Sequence, residues 1–146
     1  LWLWGGGVLP ACRAQHFAGV WSNDPLARGL GHACGLPVHR LPDDATALLA
    51  RATPGHGHLL VLDTLQATVH YEDGDAYRRQ LLDLEARWFA PLQKALAAGR
   101  IRHLRLAAST AYATIDWDSG SREQWRLWRR ARPLAATAQA LAKGGR

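Results

Sequence analysis

Phe17-Ala18-Gly19-Val20-Trp21-Ser22-Asn23-Asp24-Pro25 is a short apolar run that passes directly into a helix start. Aromatic and β-branched residues are typical of strands. An Asn or Asp side chain can cap a helix, and proline is favoured at the first helical position. Gly35 can then supply the left-handed residue at which such a helix ends. The stretch predicts a strand over 17–21 followed at once by a helix, which is the start of an α/β arrangement.

The same alternation of apolar runs and helical patterns continues along the chain. Further strands are predicted over residues 1–4, 36–40, 58–63, 101–107 and 111–115. A second helix begins at Asp43-Asp44 and ends before Thr53, and Ser119-Gly120-Ser121 leads into a last helix over 122–130. The expected fold class is therefore α/β, a mostly parallel sheet flanked by helices.

The longest helix is predicted to follow Asp73-Gly74-Asp75 and to end at Gly99. Its apolar face repeats at three- and four-residue spacing through Leu81, Leu84, Trp88, Leu92 and Leu96. Pro91 predicts a kink or a break, because proline removes a backbone hydrogen bond within a helix.

The run His58-Leu59-Leu60-Val61-Leu62-Asp63 has almost no polar alternation. This pattern is typical of a parallel strand buried on both faces. The gaps between predicted elements are short, so residues 1–133 are expected to form a single domain. The alanine-rich residues 134–146 are expected to fray.

The chain begins on the apolar run Leu1-Trp2-Leu3-Trp4 and contains no methionine. We therefore expect it to be the C-terminal portion of a larger protein, whose missing N-terminal portion is its expected partner. No apolar run approaches the roughly 20 residues that cross a bilayer, so no membrane association is expected. With no targeting segment, the sequence predicts a soluble cytoplasmic protein in which Cys12 and Cys34 are reduced thiols.

The net charge of +6 and the isoelectric point near 10.1 raise the question of nucleic-acid binding. Much of the arginine, however, is spread along the faces of predicted helices, in the long helix and again within 122–132. A solvated basic face is therefore favoured over a nucleic-acid interface.

The best candidate for a metal site is the stretch from Asp63 to His70, which Glu72, Asp73 and Asp75 follow. Asp63 ends a predicted strand, and the carboxyl ends of parallel strands are where α/β domains place their sites. A carboxylate and a histidine emerging there could bind a divalent metal. The alternative is a polar loop in which Asp73 or Asp75 caps the next helix. The pattern leaves both interpretations open.

Three weaker motifs have plausible structural explanations. The Gly5-Gly6-Gly7 loop could cradle a phosphate, but it lacks the ending of a P-loop, so a tight turn is favoured. The residues Cys12, His16, His32 and Cys34 have a loosely zinc-like spacing, but real structural zinc sites use tighter pairs. Two histidines in Gly55-His56-Gly57-His58 lie in a predicted turn, where they can simply be solvated.

A cluster of aromatic and basic residues lies near the C-terminal end. It contains Trp117-Asp118 and then Trp125, Trp128, Arg129 and Arg130. Such residues can stack bases or contact a partner. The favoured alternative places the tryptophans on an apolar helix stripe that the arginine stems cover.

Several of these pieces together resemble the archaeal-type cofactor-independent phosphoglycerate mutases of the alkaline phosphatase superfamily. They are residues 2–7 followed by Pro10, the stretch 17–20, and a proline-led helix ending in Gly35-Leu36-Pro37-Val38. The strand and loop over 58–70, the turn at 73–75 and the helix that contains Glu85 continue in the same order, so the resemblance covers about residues 1–88. The chain is still more similar to a bacterial group of longer proteins, phosphoglycerate mutase-like or RpfE-type regulatory proteins. The segment 125–134 is similar to the end of that group.

The resemblance implies that this chain is part of an alkaline phosphatase-like domain. It also implies the family's mechanism, in which two divalent metals hold a phosphorylated serine nucleophile. The strand with that serine belongs to the missing N-terminal portion. The family has a metal-binding Asp followed four residues later by a Gly-His pair, and His70 matches this histidine. Gln66 stands at the aspartate position and Val69 at the glycine position.

A further Asp-His box of the family has no counterpart after 101–107, where Ala108-Ser109-Thr110 follows. Asp63 occupies a position that is acidic in the family, but it does not replace the missing ligands. We therefore expect an incomplete metal site at Asp63 and His70, no catalytic residue and no cofactor in this chain. A divalent metal is expected only if the rest of the protein restores the ligands.

The sequence thus predicts a phosphoglycerate mutase-like domain that is inactive as it stands. The alternative is a regulatory or scaffolding protein that acts through the surface formed by Trp125, Trp128, Arg129 and Arg130. Nucleic-acid binding ranks third.

Overall fold

The computed structural model describes residues 16–71, 73–109 and 114–120 of the chain, without the side chains of Val69 and His70. The chain divides into two compact units after Gln93. The predicted strand over 1–4, the predicted helix over 122–130 and the tail over 134–146 lie outside the described residues. A single domain over 1–133 stays a prediction.

The first unit begins with an alternation of strands and helices. These are β1 (Phe17–Trp21), α1 (Pro25–Ala33), β2 (Val38–His39), α2 (Ala45–Arg51) and β3 (Gly57–Leu60). The three strands form a parallel sheet in the order β2-β1-β3. Val20 of β1 pairs with Val38 on one side and with Leu59 on the other. The predicted α/β class is confirmed at this level, as a small parallel three-stranded sheet with helices.

The helix starts that the sequence predicts are confirmed in detail. Asp24 caps α1, because its Oδ2 accepts a hydrogen bond of 2.7 Å from the Ala27 amide. Pro25 occupies the first turn, and Gly35 follows the helix with a φ of 70°. Asp44 caps α2 in the same way, through a bond of 2.7 Å from the Ala47 amide to its Oδ1. Each cap satisfies an amide that the helix leaves without a partner.

The burial predicted for the 58–63 run is wrong. Strand β3 covers only Gly57–Leu60, and Leu59 remains 40% exposed. Leu59 is exposed because β3 lies at the edge of the described sheet, where it pairs with β1 alone among the described strands. An uninterrupted apolar run indicates a buried strand, but it does not report how many neighbours that strand has.

Two further helices follow β3. Residues Thr64–His70, which were predicted as a loop, form the helix α3, and α4 covers Gly74–Leu84. Asp73 caps α4 through a bond of 2.8 Å from the Ala76 amide to its Oδ1. The buried Thr68 hydroxyl of α3 lies 2.9 Å from the Leu65 carbonyl oxygen and 3.2 Å from Oε1 of Gln80. This hydroxyl therefore links the two helices.

The long helix is not regular. A π-helical segment over Glu85–Phe89 separates α4 from α5 (Ala90–Ala97), so the irregularity comes just before Pro91. Of the predicted apolar face, Leu84, Trp88, Leu92 and Leu96 are buried, whereas Leu81 is 42% exposed. Gly99 has a φ of 69° after the helix, as predicted.

The described strands of the second unit form an antiparallel hairpin of β4 (His103–Ser109) and β5 (Thr114–Gly120). This hairpin is a separate sheet, so the parallel description holds only for β1, β2 and β3. Ser119 and Gly120, which precede the helix predicted over 122–130, are the last two residues of β5. Leu104 pairs with Ser119 in the register, and Leu106 pairs with Trp117.

One face of the hairpin contains charged pairs across the strands. Arg105 binds Asp116 with two nitrogens, the Nε to Oδ1 distance being 2.9 Å, and His103 contacts Asp118. The hydrogen bond from Arg105 lowers the pKa of the Asp116 carboxyl group. The pair thus stabilises the hairpin above the pKa of an unfolded Asp, and this stabilisation is lost as the pH falls through the lowered pKa. The effect is small because both side chains are exposed to solvent.

Candidate functional site

The carboxyl edge of the parallel sheet is the place where this fold can build a site. Strands β1, β2 and β3 run in one direction, so the residues after Trp21, His39 and Leu60 emerge at the same edge. The order β2-β1-β3 sends the connection after β1 to one side of that strand and the next connection to the other side. Ligands of α/β proteins bind at such an edge, and in this sheet the strand order reverses between β1 and β3.

The segment after β1 is held by its own side chains. Ser22 is fully buried, and its hydroxyl accepts a hydrogen bond of 3.0 Å from the Asp24 amide. Oδ1 of Asn23 accepts a hydrogen bond of 3.3 Å from the Leu41 amide, in the segment after β2. Asn23 therefore joins the two segments that follow neighbouring strands.

An open cleft of about 350 Å³ lies here, lined by Asn23, Arg28 and Arg40. Arg28 comes from α1, and Arg40 follows β2 directly. Nη1 of Arg28 donates a hydrogen bond of 3.3 Å to the Ser22 carbonyl oxygen, so the guanidinium has a fixed neighbour. Within the part of the chain that the structure describes, no carboxylate forms an ion pair with either arginine. The cleft is thus lined by hydrogen-bond donors with positive charge.

Trp21 and two histidines occupy the adjacent strands. The Trp21 ring stacks on His39 with a centroid distance of 4.4 Å, and its Nε1 donates to Nδ1 of His58 at 3.3 Å. Nδ1 of His58 must then be unprotonated, which leaves its Nε2 to donate to the Thr53 carbonyl oxygen at 3.2 Å. His58, the first residue of the strand predicted over 58–63, is half-buried in β3, whereas His56 is exposed.

The residues of the predicted metal site are placed as follows. Asp63 is exposed between β3 and α3, at the carboxyl edge of the sheet. Gln66 is exposed one helical turn later, and His70 is the last residue of α3. Over residues 16–71, 73–109 and 114–120 no group of three or more His, Cys, Asp or Glu side chains is arranged to hold a metal. The site at Asp63 and His70 stays a prediction.

The four residues with the loosely zinc-like spacing are not all available to bind a metal. Cys34 is disulfide-bonded, so the prediction of a reduced thiol at this position is wrong. His16 precedes β1 and His32 lies in the last turn of α1, and both are exposed. Cys12 lies outside the described residues. The surface proposed from Trp125, Trp128, Arg129 and Arg130 also lies outside them, as does the Gly5-Gly6-Gly7 loop.

Sequence reasoning missed the cleft. Its three side chains come from three different segments, so no local motif joins them. One signal was available, since Arg40 is the last residue of the strand predicted over 36–40 and Asn23 comes two residues after the strand predicted over 17–21. Residues immediately after parallel strands meet at one edge of the sheet.

The fold places this chain among mixed α/β proteins with a small parallel sheet. Comparison with family models, with curated proteins and with solved structures finds no match to this chain. Within the described residues, each helix is too short or too polar to cross a membrane.

Proposed function

We propose that this chain is the inactive part of a phosphoglycerate mutase-like protein whose metal site is incomplete. The proposal starts from the order of the short motifs over residues 1–88, which resembles that family. The observation that carries it is Gln66, which stands where the resemblance implies a metal-binding aspartate.

The geometry of α3 gives this substitution a physical meaning. Gln66 and His70 are four residues apart in one helix, a spacing at which two side chains can share a metal ion. Asp63 directly precedes the same helix. An amide at position 66 is neutral, whereas hard divalent cations are held mainly by carboxylate charge. Gln66 therefore removes the charge that would make α3 a metal-binding helix.

Gln66→Asp is expected to raise the affinity of the chain for Mn²⁺ by at least about tenfold, because it adds a carboxylate four residues before His70. Titration calorimetry with Mn²⁺ measures the change. Gln66→Asn is the matched control, since it shortens the side chain without adding charge. Gln66 is exposed, so both variants should fold as the wild type does.

Adding Asp63→Asn to the Gln66→Asp variant should remove most of the increase. The same preparations, with Mn²⁺ present, are expected to show no phosphoglycerate mutase turnover. Tight Mn²⁺ binding by the wild-type chain, or turnover without the substitution, would contradict the proposal.

The proposed function would place the protein in the cytoplasm. The disulfide bond at Cys34 does not favour it, because disulfides persist mainly in oxidising compartments.

A further inference from the structure

We propose that the leucine stripe of α1, formed by the exposed side chains of Leu26 and Leu30, binds residues 1–9 of the same chain. A disulfide between Cys12 and Cys34 tethers that segment to the helix. This inference does not depend on the mutase-like function, because it uses no metal and none of the residues of the predicted metal site. It follows from the exposure of the two leucines, the position of Cys34 and the number of cysteines in the chain.

The leucine stripe lies away from the side of α1 that packs on the sheet. Gly31 is the buried residue of the helix and marks the packed side. Leu26 and Leu30 are 71% and 55% exposed. They are four residues apart, so their side chains are neighbours on one face of the helix. Next to them, a Cβ atom at Gly29 would meet nothing within 4 Å. A segment that covers this face removes the apolar surface of both leucines from water.

The disulfide bond at Cys34 indicates which segment covers the stripe. Cys34 is the C-cap residue of α1 and comes four residues after Leu30. It is disulfide-bonded, and the chain contains only one other cysteine, Cys12. A disulfide within one chain therefore joins position 12 to the end of α1. The residues just before Cys12 are then tethered where the leucine stripe ends.

Residues 1–9 have the composition and the reach to cover the stripe. They contain no charged side chain, and their large apolar residues are Leu1, Trp2, Leu3, Trp4, Val8 and Leu9. From Cys34 back to Leu26 the eight residues of α1 span about 12 Å at 1.5 Å per residue. The eight residues from Cys12 back to Trp4 can extend about 26 Å at 3.3 Å per residue. Trp4 can thus reach Leu26, the far end of the stripe.

The tether also favours this segment over a second copy of the chain. A segment that is covalently held beside its site has an effective concentration on the order of millimolar. A second copy competes at the concentration of the protein in solution, which is micromolar in an ordinary experiment. Residues 1–9 therefore occupy the stripe first.

The test measures the equilibrium between the chain disulfide and glutathione. When the chain disulfide is reduced, two glutathione thiols give up two electrons and two protons and become one glutathione disulfide. A segment that binds the stripe raises the effective concentration of the two chain thiols and so favours their disulfide. Leu30→Ser should lower the equilibrium constant for disulfide formation at least about fivefold, and adding Leu26→Ser should lower it further. Both leucines are exposed, so these variants should fold normally.

Leu82→Ser is the matched control, because it makes the same change at a leucine of α4 that is 62% exposed. It should leave the equilibrium constant within about twofold of wild type. An equal constant for wild type and Leu30→Ser, or an equal loss in Leu30→Ser and Leu82→Ser, would overturn the proposal.

Peptide mapping of the unreduced chain checks the tether itself. Trypsin cleaves after the arginines at positions 13, 28 and 40, so residues 1–13 should be recovered joined to residues 29–40. A disulfide between two copies of the chain would overturn the proposal. So would a wild-type dimer that becomes a monomer in the Leu26→Ser and Leu30→Ser double variant, because a second copy would then cover the stripe.

Discussion

Trp88→Ala is expected to lower the free energy of unfolding by about 3–5 kcal/mol, the usual effect of removing a large buried aromatic side chain. Trp88 is only 2% exposed, within the π-helical segment. Leu84 and Leu92, four residues to either side, are also buried. The buried Leu48 belongs to α2, which contacts the π-helical segment. A small domain has about 5–15 kcal/mol in total, so this variant should lose a large part of its stability.

Urea unfolding followed by far-ultraviolet circular dichroism measures the effect without relying on the tryptophan signal. Leu82→Ala is the control, because Leu82 lies in the adjoining helix α4 and is 62% exposed. Its change should stay within about 0.5 kcal/mol. If Trp88→Ala lowers the free energy of unfolding no more than Leu82→Ala does, Trp88 does not belong to the core.

The second large effect is expected at Gly31, where Gly31→Ala should destabilise the protein by about 1–3 kcal/mol. A Cβ atom at this position would lie 2.8 Å from Cγ2 of Val38 and 3.2 Å from Cγ2 of Val20. Both contacts are with side chains of the sheet, on the residues that pair β1 with β2. The valines are β-branched and have few alternative rotamers, so α1 would have to move away from the sheet.

Gly29→Ala is the matched control on the same helix. A Cβ at Gly29 meets nothing within 4 Å, so the substitution should stabilise the protein by up to about 1 kcal/mol through helix propensity. The two variants have the same chemistry and opposite expected signs. Thermal unfolding of both checks the prediction, and changes of the same sign would show that α1 does not pack closely at Gly31.

Local sequence signals predicted the structure correctly where the residues of a segment determine the structure of that same segment. The stretch 17–25 forms the predicted strand and the predicted helix start, with Asp24 as the cap and Pro25 in the first turn. Asp44 and Gly99 also act at the helix ends that were predicted for them. Caps and left-handed glycines involve neighbours within about four residues, so the sequence contains the whole interaction.

The sequence predictions were wrong or incomplete where contacts with a distant part of the chain determine the structure. Helix α3 contains Thr64, Thr68 and Val69, whose β-branched side chains lower helix propensity, and its contact with Gln80 of α4 is not visible in a local window. The edge position of β3 depends on strand order. The cleft brings together Asn23, Arg28 and Arg40 from three segments, and no spacing rule predicts such a set.

The π-helical segment lies within the predicted apolar face of the long helix. Leu84, Trp88 and Leu92 follow one another at intervals of four, which on an α-helix drift by about 40° per step because a turn takes 3.6 residues. A π turn takes more residues, so it reduces that drift and keeps the three side chains on one side. The same spacing is common on regular α-helices, so it predicted the buried face but not the π-helical segment.

The strand order also affects the chain while it is being made. β1 is the first described strand to be synthesised and the central strand of its sheet, so both of its partners come later. Between the end of β2 at His39 and the start of β3 at Gly57 lie residues 40–56. At a synthesis rate of about 5–20 residues per second, this segment takes about 1–3 s to make. Throughout that time one side of β1 has no β3 to pair with, and another nascent chain could use it as a template.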